Sequence, residues 1–131
     1  MIYGIGTDVV YIPRIKKLHD NFDHKFLLKL LTAKEIELVG AKTGKQLHSH
    51  IAKRFAAKEA FVKALGTGFS HGIAMGDIEI FNNNLGKPYY VISQKLSEHI
   101  QANISTKKFV AHLSLSDEYP IASAFTIIEF H

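Results

Sequence analysis

RFAAKEAFVKALGTG, residues 54–68, is the segment from which the architecture of this protein is easiest to predict. Its alanines and large apolar side chains recur with helical spacing, and Gly66 is a residue type that commonly ends a helix. We predict a helix over residues 49–65, the longest in the chain. Because one side of such a helix is apolar, the flanking segments have to cover it.

Glu59 is the unusual residue of this helix. On a helical wheel, one stripe is formed by five apolar residues: Ile51, Ala52, Phe55, Ala56 and Val62. Glu59 points into the middle of that stripe, and Lys63 follows one turn later. An ionised carboxylate facing a core is costly unless cations or donors compensate for it. Spacing alone leaves two interpretations open, a metal-binding carboxylate or an ordinary Glu–Lys pair at the edge of the stripe.

The N-terminal segment, residues 2–12, alternates like a strand and carries a second unusual carboxylate. Asp8 shares a face with Gly4 and Gly6, and a glycine inside a strand often marks close approach of a backbone or a ligand. A bulge with a surface Asp is the alternative. Asp8 and Glu59 both stand where the pattern predicts apolar or small residues. Two such carboxylates can share Mg²⁺, with water and phosphate oxygens as the remaining ligands.

Basic and histidine side chains could complete a phosphate site. The predicted helix carries four basic residues near Glu59: Lys53, Arg54, Lys58 and Lys63. His112 lies on the face of a predicted strand opposite its apolar side, where it is either open to a ligand or a bystander. His48 and His50 have no third ligand in view, so the sequence does not predict zinc there.

The rest of the chain is predicted as short helices followed by strands. The helices are expected at residues 14–20, 24–31, 32–40 (opened by a capping box at 32–35) and 93–100, with a polar loop at 42–50. The strands are expected at residues 77–81, 89–92, 108–115 and 121–130. We therefore predict an α+β fold, one compact domain over residues 1–131, with an antiparallel sheet packed against one long and several short helices.

Composition restricts the classes of protein. The chain has 131 residues, 47% of them hydrophobic and 21% charged, which excludes a disordered tail, and no cysteine, which excludes disulfides and thiolate zinc sites. No apolar run approaches the ~20 residues needed to span a bilayer, and no signal peptide is recognisable, so a cytoplasmic protein is expected without a membrane partner. The net charge of +4 suits an anionic partner: a nucleic acid, a phosphorylated cofactor or an acidic protein.

A basic nucleic-acid-binding module is the alternative function. Tyr89, Tyr90 and Phe109 lie in predicted strands, and RNA-binding sheets stack bases on such aromatic residues. Tyr89 and Tyr90 are adjacent, however, so their side chains point to opposite faces and at most one of them could stack.

Two segments together resemble a known family. GIGTDVVYIPRI at residues 4–15 and RFAAKEAFVKALGTG at 54–68 resemble the paired signatures of the holo-acyl-carrier-protein synthases, which are small bacterial 4′-phosphopantetheinyl transferases. FNNNLGKP at 81–88 and AHLSLSDE at 111–118 extend the resemblance along the chain, whereas residues 42–50 match nothing in the family pattern. The resemblance implies transfer of phosphopantetheine from coenzyme A to a serine of apo-acyl carrier protein, with release of adenosine 3′,5′-bisphosphate and no nucleic-acid partner.

The resemblance also implies roles for individual residues. Asp8 and Glu59 would be the Mg²⁺ ligands, and Lys63 would contact the phosphates as a third catalytic residue. Coenzyme A would be bound by Arg54, Lys63, Gly86, Lys87, Pro88 and His112, and the acyl carrier protein by Arg14, Lys17 and Phe22. The acceptor of the serine proton stays open between a water near the cation and Glu59. A homotrimer with active sites at the subunit boundaries is also implied.

Overall fold

The computed structural model describes residues 1–131 and confirms the α+β class. The strands are β1 (Ile2–Tyr11), β2 (Ile78–Asn82), β3 (Pro88–Ile92), β4 (Phe109–Glu118) and β5 (Ile121–Phe130). The helices are α1 (Ile12–Phe22), α2 (His24–Leu30), α3 (Ala33–Val39), α4 (Gly44–Leu65) and α5 (Gln94–Asn103). A single 3₁₀ turn, Met75–Asp77, precedes β2.

The strands form two antiparallel sheets, where the sequence analysis expected one. The larger sheet has the order β1-β5-β4, and the smaller is the β2-β3 hairpin. The register sets Asp8 opposite Ala124 and His112 opposite Ile127. Helix α4 lies across β1 and β5 on one face of the larger sheet, which leaves the other face uncovered in the single chain.

Two glycines let α4 approach β1 more closely than any other residue type would allow. A Cβ at Gly6 would lie 2.0 Å from the carbonyl oxygen of Ala60, and one at Gly4 would lie 2.1 Å from that of Ala64. Real Cβ atoms essentially never come within 3.0 Å of another atom. The glycines therefore mark the close approach of a backbone, which was one of the options open from the sequence.

The prediction of a loop over residues 42–50 is wrong from residue 44 onward, because α4 already begins at Gly44. His48 is buried on the side of this first part of α4 that faces α1, and its ring lies 5.7 Å from that of His19. Lys45 and Gln46 stay exposed on the other side. A helix with one solvated side can carry mostly polar residues, so polarity alone did not indicate a loop.

The apolar stripe drawn on α4 is too narrow. Helix α4 is buried around most of its circumference, because the larger sheet, helix α1 and strand β2 all pack against it. Lys58, expected beside the phosphate site, is fully buried instead. Its ammonium donates to Glu35 Oε1 at 2.6 Å, to the Leu30 carbonyl at 2.7 Å and to the Met75 carbonyl at 3.0 Å. Lys58 is therefore a structural residue of the core.

Glu35, the partner of Lys58, belongs to the predicted capping box, which is confirmed. Thr32 Oγ1 accepts from the Glu35 backbone N–H, and Glu35 Oε1 accepts from that of Thr32. Glu35 Oε2 also accepts from the backbone N–H of Ile80 at 3.1 Å. One carboxylate thus joins α3, α4 and β2.

None of the helices is both long and apolar enough to cross a bilayer.

Candidate functional site

The two unusual carboxylates come together where α4 crosses β1. Lys63 Nζ lies 3.0 Å from Asp8 Oδ1 and 3.0 Å from the carbonyl oxygen of Thr7. The side chain of Asp8 is 15% exposed, whereas that of Lys63 is 52% exposed and reaches solvent. Glu59 is half-buried at the margin of the core, so the expectation that it points into the core is wrong. The close approach at Gly4 and Gly6 brings α4 within reach of Asp8.

Glu59 is the member of this group whose pKa is shifted by its surroundings. Burial raises its pKa, the nearby Asp8 carboxylate raises it further, and Lys63 lowers it. The repulsion between two neighbouring carboxylates is reduced when a cation binds between them. Hard oxygen donors on two rigid elements are the donor set that Mg²⁺ prefers. Asp8 and Glu59 therefore fit a divalent ion, and the ammonium of Lys63 places a positive charge next to Asp8.

A basic cleft of about 540 Å³ lies further along α4. Its basic lining comes from Lys42, His50, Lys53 and Arg54. Its apolar lining comes from Leu38, Phe81, Pro88, Tyr89 and Leu115. A lining that is partly basic and partly apolar suits a ligand in which phosphate groups are joined to a flat ring. The volume is within the range of about 300–1,000 Å³ usual for small-molecule sites.

Arg54 brings a buried positive charge to the cleft, and His50 lies beside it. Arg54 is buried and donates from Nη2 to Asn82 Oδ1 at 2.5 Å, and burial lowers its pKa despite the opposing effect of Glu35. Burial, together with the positive charges of Arg54, Lys42 and Lys53, lowers the pKa of His50 to about 4. Lys53 is paired with Asp117 Oδ1 at 2.9 Å, so Arg54 and Lys42 are the cations that make the cleft favour an anion.

Sequence reasoning missed His50 and Asn82 as members of the cleft, whereas Lys42 was counted among the basic residues that fit a phosphate site. Asn82 is exposed, and besides accepting from Arg54 its amide donates to the Gly86 carbonyl at 2.9 Å. The signal for His50 was its spacing of four residues from Arg54, which puts both on one side of the helix predicted over residues 49–65. Lys42 precedes α4, so its position beside them depends on the fold.

Two of the three β2-β3 turn residues predicted to bind coenzyme A lie at this cleft. Gly86 and Pro88 line it, whereas the side chain of Lys87 is exposed and does not. Asn83 Oδ1 accepts from the backbone N–H groups of Leu85 and Lys87, which shapes the turn. Gly86 has φ of +84°, a conformation that few residues other than glycine adopt.

His112 is not brought to the carboxylates or the cleft of its own chain. It lies on the uncovered face of the larger sheet, as its strand pattern predicted. Its Nε2 lies 2.6 Å from Glu129 Oε2, and this hydrogen bond lowers the pKa of Glu129. In a single chain His112 is therefore remote from the other predicted site residues.

The three residues predicted to contact a protein partner all lie on α1 and are exposed: Arg14, Lys17 and Phe22. A shallow groove of about 260 Å³ runs between α1 and α2 beside them. Its lining is apolar at the floor and basic at the rim: Leu18, Phe22, Lys25, Phe26 and Lys29. Such a groove suits an amphipathic, acidic helix.

The strand aromatics do not form a stacking platform for nucleic acid. Tyr90 is half-buried, with its hydroxyl donating to the Ala57 carbonyl at 2.7 Å and bonded to Thr126 Oγ1 at 2.6 Å. Phe109 packs against Phe61 and Phe130. Of the three aromatic residues considered for stacking, only Tyr89 is exposed, and it lines the basic cleft. The structure thus offers no support for the nucleic-acid alternative.

Known proteins resemble this chain over nearly its whole length. The family model described as the 4′-phosphopantetheinyl transferase superfamily matches residues 4–124. The chain belongs to this superfamily. The holo-[acyl-carrier-protein] synthase of Wolbachia pipientis subsp. Culex pipiens (strain wPip) is 50% identical over 129 residues, which are 98% of each protein. That of Orientia tsutsugamushi (strain Ikeda) is 44% identical over 128 residues, covering 98% of this chain and 97% of the relative.

Solved structures agree with the phosphopantetheinyl transferase fold. The holo-[acyl-carrier-protein] synthase from Neisseria meningitidis matches with a TM-score of 0.87 and 37% identity, over 98% of this chain and 99% of that one. The enzyme from Bacillus anthracis str. Ames, in complex with CoA (3′,5′-ADP), matches with a TM-score of 0.84 and 34% identity, over 100% and 99%. The resemblance noted from the sequence is confirmed, and the chain is a phosphopantetheinyl transferase.

Proposed function

We propose that this enzyme transfers 4′-phosphopantetheine from coenzyme A to a serine hydroxyl of apo-acyl carrier protein, in a Mg²⁺-dependent reaction. The serine oxygen forms a bond to the phosphorus that carries the pantetheine arm. The pyrophosphate bond to adenosine 3′,5′-bisphosphate breaks, and the serine proton passes to a base at the site, either a water near the cation or Glu59. The observation that carries the proposal is the pairing of Asp8 with Glu59 beside Lys63, in a superfamily member that also has a basic cleft on the same helix.

Asp8 and Glu59 would hold the Mg²⁺, and Lys63 would contact the phosphate oxygens. The ion, when bound, withdraws charge from the pyrophosphate and so favours departure of the bisphosphate. Lys63 is mobile enough to exchange its contact with Asp8 for one with a phosphate, because half of its side chain is exposed. Its positive charge then offsets the negative charge that develops on the leaving group.

The basic cleft would bind the adenosine bisphosphate part of coenzyme A. Arg54 and Lys42 supply positive charge for phosphate oxygens, and the apolar wall at Pro88 and Tyr89 supplies a surface for the adenine. Gly86 would allow close approach of the ring, and Lys87 would reach the ligand from the rim. The solved relatives from Bacillus anthracis, in complex with CoA (3′,5′-ADP), and Helicobacter pylori, in complex with coenzyme A, support coenzyme A as the ligand.

Helix α1 would dock the acyl carrier protein. Arg14 and Lys17 present positive charge, and Phe22 presents an apolar contact at the groove beside α2. The net charge of +4 favours encounter with an acidic protein as well as with a polyanionic substrate.

A homotrimer would cover the exposed face of the larger sheet. On β1, Ile5 is 60% and Val9 66% exposed, and Phe125 adds an exposed ring from β5. Such an apolar face is unusual for a monomer. His112 lies on the same face, so packing of subunits through it would bring His112 toward a neighbouring chain's site. Active sites at the subunit boundaries would then explain its remoteness within one chain.

We further propose that residues 1–131 act as one domain and that the enzyme is cytoplasmic.

The reaction is tested by measuring the intact mass of an acyl carrier protein after incubation with the enzyme, coenzyme A and Mg²⁺. A gain of one phosphopantetheine, lost with EDTA, is expected. Glu59→Gln and Asp8→Asn should abolish the gain while the thermal melt persists, and Glu98→Gln, an exposed glutamate of α5, should retain it. Wild-type turnover of Glu59→Gln at saturating Mg²⁺ would refute the metal site. Binding of coenzyme A without any mass gain would point to another acceptor.

The trimer is tested separately by sedimentation velocity. Val9→Asp places a charge on the exposed sheet face and should yield monomers with little activity. Val91→Asp is the matched control, since Val91 is also exposed (40%) but belongs to β3. Trimeric Val9→Asp, or monomeric wild type, would contradict the assembly without affecting the assignment of Asp8 and Glu59.

A further inference from the structure

A second cluster of metal-ligating side chains lies at the junction of α1 and α4, and the proposed reaction does not use it. His19 and Asp20 come from α1, and His48 comes from the early part of α4. One ligand atom from each of the three side chains lies within 4.8 Å of the other two. The sequence showed no third ligand for His48. The fold supplies two, because α4 begins earlier than expected and packs against α1.

The geometry is close to that of an assembled site. The rings of His19 and His48 lie 5.7 Å apart at an angle of 61°. Zinc binds imidazole nitrogens at about 2.0–2.1 Å, so the ligand atoms of a tetrahedral site lie roughly 3.3 Å apart. The three atoms therefore need to approach one another by at most about 1.5 Å. His48 is held by burial, while Asp20 is exposed and free to rotate.

We propose that His19, Asp20 and His48 bind one divalent transition-metal ion of the zinc class, with water as the remaining ligand. Imidazole nitrogens select such ions over Mg²⁺, which prefers oxygen donors throughout its shell. The site is thus chemically distinct from the Asp8–Glu59 pair. Two imidazoles with one carboxylate also constitute a known set of zinc ligands.

The groups around the cluster permit this binding. Lys16 Nζ pairs with Asp20 Oδ2 at 2.7 Å, but both side chains are more than half exposed, so the pair is weak and Lys16 can turn to solvent. Asp23 Oδ1 lies 3.6 Å from His19 Nε2 and adds a second negative charge. Burial lowers the pKa of His48, as does the nearby His19, whereas Asp20 raises it. Imidazole binds a metal in its neutral form.

Metal binding here would join two parts of the enzyme. Helix α1 carries the proposed docking residues Arg14, Lys17 and Phe22, whereas α4 carries Glu59 and Lys63. An ion held by both helices would stabilise the folded state by an amount that rises with the logarithm of the free ion concentration above its Kd. It would also restrict movement of α1 relative to the catalytic helix.

The test is equilibrium dialysis of the full chain against Zn²⁺, with Mg²⁺ in excess to occupy carboxylate-only sites. Wild type should retain one zinc equivalent that His48→Gln and Asp20→Asn lose or bind at least tenfold more weakly. His24→Gln, at the exposed start of α2, is the matched control and should keep that equivalent. Because Asp20 is exposed, Asp20→Asn tests the site even if His48→Gln folds poorly.

Two further readouts separate binding from a structural effect. Zinc should raise the melting temperature of wild type and His24→Gln but not that of Asp20→Asn. Lys16→Gln removes the competing cation and should bind zinc more tightly than wild type. Equal zinc binding by wild type, His48→Gln and Asp20→Asn would overturn the proposal, as would no zinc retained by wild type. Neither result bears on phosphopantetheine transfer, which the mass assay measures without zinc.

Discussion

The substitution Gly6→Ala tests the close contact between β1 and α4, on which both the core and the carboxylate pair depend. A Cβ at residue 6 would lie 2.0 Å from the Ala60 carbonyl oxygen and 2.8 Å from the backbone nitrogen of Ala64. Both obstacles are backbone atoms of a buried helix, so no side-chain rotation relieves them. Either β1 or α4 has to move.

The size of the movement sets the expected effect. Raising the shortest contact from 2.0 Å to an acceptable 3.0 Å requires a displacement of about 1 Å. Overpacking of a core typically costs 1–3 kcal/mol, and we expect about 3 kcal/mol here because two regular elements are forced apart. For a chain of this length that corresponds to a melting temperature lower by roughly 10 °C. Metal–ligand distances vary by only about 0.2 Å, so a shift of about 1 Å between Asp8 and Glu59 should also impair Mg²⁺ binding. We therefore expect most of the transfer activity to be lost even at temperatures where the variant is still folded.

The assay is a thermal melt at fixed protein concentration together with the mass-shift assay. Gly76→Ala is the matched control, because a Cβ at Gly76 meets nothing within 4 Å, and its melt should stay within about 2 °C of wild type. A Gly6→Ala enzyme that melts like wild type and retains full activity would refute the role given to the close contact.

Three further substitutions test other parts of the structure. His50 has a pKa of about 4 in the fold against about 6.5 unfolded, so the unfolded chain binds its proton more readily and stability falls as pH drops from 6.5 toward 4. In urea titrations, His50→Gln should lose less stability than wild type over that interval, by roughly 3 kcal/mol, and equal losses would contradict this. Glu35→Gln leaves Lys58 buried without its counter-charge and should cost about 3–5 kcal/mol in the same titration, most of it recovered when Lys58→Met is added. Arg14→Glu should raise the KM for acyl carrier protein about tenfold, which is ~1.4 kcal/mol of binding, while the KM for coenzyme A barely changes; equal increases would argue against docking on α1.

Local signals in the chain were sufficient for most elements. The capping box at Thr32, Gly66 at the end of α4 and the alternation of β1 all act over a few residues, and each predicted its element correctly. Asp8 and Glu59 were identified because each breaks the pattern of its own element. Such departures are visible without knowledge of what packs against them.

The errors arose where packing overrides local character. Residues 44–50 are polar, yet they form the start of α4 because His48 is covered by α1. Lys58 was indistinguishable in sequence from its basic neighbours, but the fold surrounds it with Glu35 and two carbonyl oxygens. No pattern along one helix reports which of its charged residues will be enclosed.

Periodicity and motif chemistry along the chain established the α+β class, the family resemblance and the carboxylates that break their patterns. Contacts between distant segments established where the functional side chains lie: Lys63 against Asp8, Arg54 against Asn82 in the cleft, and His112 against Glu129 on the opposite face of the sheet. The reason is that periodicity depends on neighbours within a turn or two of chain. Burial and electrostatic environment depend on segments tens of residues away, and only the folded chain brings those together.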